Sequence, residues 1–461
     1  MNSQKSSKPN IILLTIDTLR ADWVGCYGHK RPLTPNLDRL AAKGIRFEQA
    51  MTGGSWTQAA FPVMMTSTYA SMYGGCLGPL SAERPSPIEL LSNNGYKTAA
   101  FSTSPLLSKT YGYDRGFDQF SDLMPGEREP ALRHMKGGQR LLRTPLTHHI
   151  SRLLGIQTRP AKSYISAEEL TTLACDWIGE AESPFLAWVH YMDVHWPYHK
   201  EDELTKPKDI AQAWEDVVHL HNVNWNGATV SAAQRAHYIE LYEEAVRYTD
   251  AQVGRLLDYL DESGYGENTI VLVVADHGEE FMERGYWGHV EINLYDEILN
   301  VPMILHLPGQ TDGIVVQEQV RTLDMMPTLL DLCGFDAPDG VEGVSMVPLW
   351  MNGNGSGDYV APYNIGERWR DDSHVIAIRT ETFKYIWDSE KPEQPLLYNL
   401  KADAAESNNV VAKYRKQAAE FQAIVDAHLL RVQETMPETA VSQPELDEEV
   451  ISRLRDLGYV E

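Results

Sequence analysis

Apolar runs of two kinds alternate along most of this chain. The β-branched runs Ile11-Ile12-Leu13-Leu14-Thr15-Ile16 and Ile270-Val271-Leu272-Val273-Val274-Ala275 lack polar alternation, which predicts strands buried on both faces of a parallel sheet. Lys97 to Phe101, Phe185 to Tyr191 and Pro302 to His306 predict further strands. Helical signals lie between them. Thr34 reads as an N-cap with Pro35 at the first helical position and Gly44 at the stop, and a second helix runs from Pro87 to near Gly95. Others are predicted around Leu170 to Ile178, from Ala232 to about Leu260, and from Asp324 to Leu332, ending at Gly334. This alternation predicts an α/β fold, a doubly wound and mostly parallel central sheet flanked by helices.

The pattern changes at Asn352-Gly353-Asn354-Gly355-Ser356-Gly357, which reads as a flexible linker. Beyond it, Val375 to Arg379 and Phe383 to Trp387 predict a hairpin-like pair, followed by Leu396 to Leu400 and a helix from about Val411 to Val432. The expectation is a main domain over 1–351, and over 358–461 a C-terminal α+β subdomain, a small antiparallel sheet plus helix, packed on it.

Both long apolar runs finish in acid. The first ends in Asp17 and the second in Asp276-His277-Gly278-Glu279-Glu280. Ligands of open α/β sheets bind outside the carboxyl ends of the strands. Two carboxylates and an imidazole placed there are the raw material of a divalent metal site. Either motif alone reads equally well as a helix cap or a polar loop; the coincidence of the two favours the metal.

Charge narrows the partners. The 461-residue chain carries a formal charge of −25, which argues against nucleic acid and for a self-repelling surface. Four scattered cysteines form no CxxC pair and suit a reducing compartment. Residues Met1 to Pro9 are polar and no run reaches transmembrane length, so the expectation is a cytoplasmic protein with no stable membrane insertion. One stretch, 122–165, departs from the acidic character. From Ala131 to Lys162 it holds Arg133, Lys136, Arg140, Arg143, Arg152, Arg159 and Lys162 without an Asp or Glu. It reads as a solvated insertion, or else as a basic lid drawing in an anionic substrate or a surface touching anionic lipid.

The motifs then assemble in order. Asp17-Thr18-Leu19-Arg20-Ala21-Asp22, Tyr27-Gly28, Thr34-Pro35-Asn36-Leu37-Asp38, Asp276-His277-Gly278-Glu279, Tyr295-Asp296-Glu297 and Val301-Pro302 come first. Asp324 to Asp331, Leu397-Tyr398-Asn399-Leu400 with Asp403 and Glu406, and Leu454 to Val460 complete the series. Nearly end to end the chain resembles the sulfatase family of the alkaline phosphatase superfamily. That resemblance implies an alkaline phosphatase-like fold, a hydrolase acting on sulfuric or phosphoric esters, and a small anionic ester as substrate.

The nucleophile segment departs from that family. Sulfatases carry a Cys or Ser, converted to formylglycine, at the start of a C/S-x-P-x-R pattern. Counting back from Met64-Met65-Thr66-Ser67, that position is Thr57, with Ala59 and Phe61 where Pro and Arg would stand. Threonine cannot become formylglycine, so none is expected. The family's Lys and His that hold sulfate are replaced in the stretch Phe101-Ser102-Thr103-Ser104-Pro105. A Thr hydroxyl on a divalent metal can still attack phosphorus or sulfur, and the resemblance places it at a helix start suited to an anion. Pro62 would lie close to that start, where its missing N–H costs least.

The resemblance implies roles for the rest. His195 stands where a His approaches the leaving-group oxygen, and His289 where sulfatases have a Lys near the sulfate. One metal is expected on Asp17, Asp276 and His277, completed by Thr57, because Thr18 replaces the second carboxylate. Manganese or zinc suits one imidazole among oxygens better than calcium, with magnesium also open. Arg20, Asp22 and Asp324 match the family as residues that fix loops and helix ends. The expected chemistry is ester hydrolysis by metal-bound Thr57, leaning to phosphoesters and diesters. The alternatives are a transferase passing a phospho-substituent from Thr57 to an alcohol, and a non-catalytic binding protein.

Overall fold

Two runs of seven residues, β1 (Asn10–Ile16) and β6 (Thr269–Ala275), lie side by side and parallel, paired from Asn10 with Thr269 to Ile16 with Ala275. On the other side of β1 lies β5 (Phe185–Tyr191), also parallel, with Ile16 opposite Tyr191. Every residue of these three strands is buried. A strand covered on both faces needs no polar side, so the runs lack alternation. The register has a direct result. Asp17 and Asp276, each one residue past its strand, leave the sheet level with one another.

The computed structural model describes residues 8–123, 164–196, 198, 207–289, 293–351, 359–370, 373–437 and 451. The basic stretch Arg133 to Lys162, the Gly-rich linker and Leu454 to Val460 lie outside them. The remaining strands of the main sheet are β2 (Ile45–Met51), β3 (Lys97–Ser102), β4 (Gln119–Asp122), β9 (Asn300–Val301), β10 (Met303–His306) and β11 (Ile314–Arg321). They are ordered β11-β2-β10-β6-β1-β5-β3-β4, with β9 on β2. Five of the pairings are parallel; β10 runs antiparallel to both β6 and β2, and β9 antiparallel to β2. The sheet is the mostly parallel, helix-flanked one expected. The strands β2 and β11, which mix charged with apolar residues, carry no such clear signal in the sequence.

Helices pack in two groups. One comprises α1 (Pro35–Lys43), α4 (Ala167–Glu180) and α6 (Ala232–Ser263). The other comprises α2 (Thr57–Thr66), α3 (Pro87–Asn93) and α8 (Met325–Leu332). Between α4 and α6 comes α5 (Pro207–Asn226), an unanticipated helix, and α7 (Asp296–Leu299) is one short turn. Thr34 stands at the N-cap position of α1, with Pro35 first in the helix as expected, but its side chain does not cap the helix. Its hydroxyl accepts from the Gly25 N–H at 2.8 Å, while the Asp250 carboxylate on α6 takes the Asn36 and Leu37 N–H groups at 3.0 and 2.9 Å. The orphan donors of the first turn are thus satisfied from a neighbouring helix. Pro62 also falls elsewhere than expected: it is the sixth residue of α2, beyond the first turn.

A second sheet is antiparallel and ordered as in the sequence: β12 (Asn364–Arg370), β13 (Ser373–Arg379), β14 (Phe383–Asp388) and β15 (Leu396–Asn399). The helix α9 (Arg415–Glu434) packs on it. This is the small antiparallel sheet plus helix predicted, with β12 added. Its junction with the main sheet is polar. The Asn364 side chain donates to Thr52 O and the Glu367 N–H to Gly53 O, both at 3.0 Å. The buried Glu367 carboxylate also binds His374 and His428 at 3.0 and 2.9 Å and the Ser71 hydroxyl at 2.5 Å.

That junction presses on the start of α2. A Cβ on Gly54 would meet the Ala59 carbonyl carbon at 2.3 Å and Ala60 N at 2.4 Å, both backbone atoms. Gly54→Ala should therefore push α2 outward and lower stability to urea by about 1–3 kcal/mol, the usual cost of overpacking. An unchanged unfolding midpoint would show that α2 can shift freely.

Candidate functional site

The carboxyl edge of the main sheet gathers every residue that the sequence assigned to chemistry. One ligand atom each from Asp17, Asp276 and His277 lies within 4.8 Å of the other two. His277 Nε2 is 3.5 Å from Asp276 Oδ2, 3.8 Å from Asp17 Oδ1 and 3.5 Å from the Thr57 hydroxyl. All four residues are fully buried. The lone pair of His277 faces this group, because its Nδ1–H donates to Gly278 O at 2.8 Å.

The two carboxylates are open in different degrees. Asp276 Oδ1 accepts the His277 and Thr18 N–H groups at 2.8 and 3.2 Å, leaving Oδ2 without a hydrogen-bond partner. Neither oxygen of Asp17 has one. The Thr18 bond has a cost. Its φ of 57° is left-handed, strained for a β-branched residue by about 1–3 kcal/mol. Tyr242 holds it there by donating to Thr18 O at 2.9 Å. Other unpartnered buried atoms lie at the same edge: Thr18 Oγ1, Thr103 Oγ1, Ser104 Oγ and His190 Nε2. The last three lie on or just beyond β3 and β5. Buried polar atoms are normally satisfied, so this concentration fits a site built for a polar guest. Orphaned carboxylates facing a bare imidazole nitrogen fit a divalent cation.

Thr57 is the first residue of α2, after Trp56 in extended conformation. It is a helix-start residue rather than an N-cap, and its hydroxyl sits at the positive end of the helix dipole. His289 follows β8 (Trp287–Gly288), which pairs with β7 (Glu280–Phe281). Its ring centroid lies 4.4 Å from that of His277 and 5.1 Å from that of His195. The imidazole of His195 is buried and its Nδ1–H donates to Trp196 O. Gly288 has a φ of +88°, and a Cβ there would come within 3.3 Å of Glu279 Oε1. This glycine lets the hairpin turn His289 back over the site.

Two further residues, Glu279 and His190, stand in the site without a role legible in the sequence. Glu279 binds His289 Nδ1 at 2.9 Å and reaches the Tyr198 hydroxyl at 3.5 Å. It stood inside the Asp276-His277-Gly278-Glu279 motif, and that was its signal. His190 is the second-last residue of β5, its Nδ1 2.9 Å from Thr15 and its Nε2 3.7 Å from Asp17 Oδ2. An imidazole in an otherwise apolar buried strand could have drawn attention. The loop-fixing residues are placed as expected. Arg20 forks onto Asp22 and reaches Glu279 O and Glu283, while Asp324 binds Arg321, the Val344 N–H and Tyr359.

Burial dominates the electrostatics. It raises Asp276 to about 6, helped by the Asp17 charge, and lowers His277 to about 4 and His289 to about 3. Asp17 is raised well above the usual carboxylate range by burial and then by Glu279, with Thr57 pulling the other way. A cation binding here must displace protons from carboxylates, whereas His277 is already neutral above about pH 4. Affinity for Mn²⁺ should therefore rise with pH, by roughly tenfold per unit per displaced proton, until both carboxylates are ionised, Asp276 above about pH 6 and Asp17 also raised by its burial. Chelator competition between pH 5 and 8 would measure it; an affinity independent of pH over that range would exclude this ligand set.

Residues 9–335 match the Sulfatase family, and residues 283–435 match the N-sulphoglucosamine sulphohydrolase C-terminal family. The N-acetylglucosamine-6-O-sulfatase of Bacteroides thetaiotaomicron is 22% identical, over 92% of this chain and 86% of that protein. A solved structure in complex with its substrate D-glucosamine-2-N,6-O-disulfate superposes with a TM-score of 0.70 at 18% identity, covering 93% of this chain and 99% of that one. The phosphonate monoester hydrolase of Agrobacterium radiobacter superposes with a TM-score of 0.67 at 20% identity, over 92% and 96%. A match running from the first strand through α8, over most of the chain, establishes the conclusion: the protein belongs to the sulfatase family, as an ester-bond hydrolase of alkaline phosphatase-like fold.

Proposed function

We propose that this hydrolase cleaves a small anionic ester by direct attack of the Thr57 hydroxyl, with a leaning to phosphoesters, monoesters or diesters. The observation that carries the reading is the position of Thr57, at the start of α2 and 3.5 Å from His277 Nε2. The formylglycine route needs a Cys or Ser there. A family member whose nucleophile position holds an ordinary hydroxyl is suited to a phosphoryl or phosphonyl centre, and a structural neighbour carries the name phosphonate monoester hydrolase.

Asp17, Asp276 and His277 would hold one divalent ion, which when bound lowers the pKa of an adjacent hydroxyl and offsets charge on the ester oxygens. The N-terminus of α2 adds the favourable end of its dipole to the same place. Thr57 Oγ, its proton released to bulk water, forms a bond to the central atom as the bond to the leaving oxygen breaks, and His195, protonated at Nε2 once the anion is bound, donates the proton that this oxygen needs. Water then attacks the Thr57 ester, His195 taking up the proton that water loses, and the departing Thr57 Oγ recovers a proton from bulk water as its hydroxyl. His289 faces the anion in place of a cationic side chain. Burial holds both imidazoles neutral at rest, and the arriving negative charge is what favours their protonation.

Thr57→Ala should lower kcat by about 10⁴-fold or more, the scale seen when a nucleophile is removed, while ion binding persists. Thr57→Ser should keep activity, and intact mass should show unmodified threonine. The assay is a panel of aryl sulfate, phosphate monoester, phosphate diester and phosphonate ester with Mn²⁺ or Zn²⁺ added. A fully active Thr57→Ala variant would refute the proposed nucleophile, and turnover of the sulfate alone would refute the leaning to phosphoesters.

His195 has its own test. His195→Gln should slow esters of poor leaving groups by roughly 10²–10⁴-fold, and 4-nitrophenyl esters, whose phenolate leaves without a proton, much less. Equal losses on both would remove His195 from the role of acid.

A further inference from the structure

Asp17 and Asp276 present their oxygens to the site differently. Two backbone N–H groups hold Asp276 Oδ1, which leaves Oδ2 for a guest. Asp17 has no such anchor. Its Oδ1 lies 3.8 Å from His277 Nε2, and its Oδ2 faces His190 Nε2 at 3.7 Å. Asp17 and His190 are both fully buried, and neither Oδ2 nor Nε2 has a hydrogen-bond partner.

The tautomer of His190 follows from its other contacts. The Trp188 indole can only donate, so its 2.9 Å contact makes Thr15 Oγ1 the acceptor. The hydrogen of Thr15 is then free to go to His190 Nδ1, also at 2.9 Å. With Nδ1 accepting, the ring proton sits on Nε2, aimed at Asp17 Oδ2. The opposite tautomer would strand the Thr15 hydrogen and turn a nitrogen lone pair toward a carboxylate in a dry interior, a costly arrangement. Phe61 of α2 packs against the ring at 5.0 Å and 85°, which fixes its plane.

We propose that His190 is a positioning residue for the ion site: its Nε2–H holds Oδ2 of Asp17, so that Oδ1 is the oxygen turned toward His277 and the ion. The inference rests on the reading of Asp17, Asp276 and His277 as ion ligands. A small turn of the Asp17 carboxylate shortens the 3.7 Å separation to a hydrogen bond. With it, each carboxylate keeps one oxygen anchored and offers the other. Trp188 and Thr15 act one step further out, by setting the tautomer.

The test is equilibrium Mn²⁺ binding to metal-free protein, read by calorimetry, with melting curves to confirm folding. His190→Phe keeps a buried ring and removes the donor, and it should weaken binding about ten- to a hundredfold, as orienting partners of metal ligands do. His190→Gln, which can place an amide N–H near the same point, should recover most of that loss. Asp17→Asn separates the two readings. If Asp17→Asn abolishes binding while His190→Phe binds like wild type, the positioning role is overturned and the ion site stands. If Asp17→Asn itself binds like wild type, the ion-site reading falls, and this inference with it. Equal losses in the Phe and Gln variants would mean that His190 only packs, which also overturns the proposal. Should His190→Phe fail to fold, Thr15→Val decides: weakened binding supports the tautomer relay, and unchanged binding overturns it.

Discussion

Two carboxylates held close together away from water repel one another and lose their hydration, and the pairing of β1 with β6 forces this on Asp17 and Asp276. Neither can move away, because each is one residue beyond a strand that is hydrogen-bonded along its length and covered on both faces. The penalty appears as raised proton affinity on both. Much of the surrounding structure answers it. His277 turns a bare nitrogen toward the pair, Thr18 accepts a strained conformation to hold Asp276, and α2 brings its amino end to the same point.

The fold was legible where burial was complete. A strand covered on both faces must be apolar throughout, so β1, β5 and β6 stood out, and the acids ending two of them marked the site. The C-terminal sheet showed itself through paired apolar runs. Legibility failed where an element draws stability from distant partners. The cap on α1 comes from Asp250, more than 200 positions away in the chain, and no local pattern could reveal it. Strand β12, reading Asn-Ile-Gly-Glu-Arg-Trp-Arg, owes its polar character to a buried junction: Glu367 is satisfied by two histidines and a serine from three other segments.

The site divided along similar lines. Asp17, Asp276, His277, Thr57, His195 and His289 were each singled out in the sequence by order and motif, and the structure brings them together, with their roles now open to the tests above. Glu279 and His190 escaped because their parts depend on what they touch. Nothing in the sequence says that His190 lies beside Asp17; only the parallel register, which sets Thr15 opposite it, does so.

The hairpin β7–β8 gives the site a division of labour. Asp17, Asp276, His277 and Thr57 sit directly at strand ends or at the root of a helix, where a shift of one residue would disrupt the sheet. His289 instead arrives through an excursion of about a dozen residues, held by Arg20 on Glu279 O and Glu283, by Arg235 on Phe281 O, and at its turn by Arg284 on Glu297 and Ala405 O. Insertions at its turn, between Met282 and Tyr286, would leave those strand ends in place. A single exchange at position 289, at the foot of the hairpin, would thus change the charge that the proposed reading turns toward a substrate without moving the strand ends beneath it.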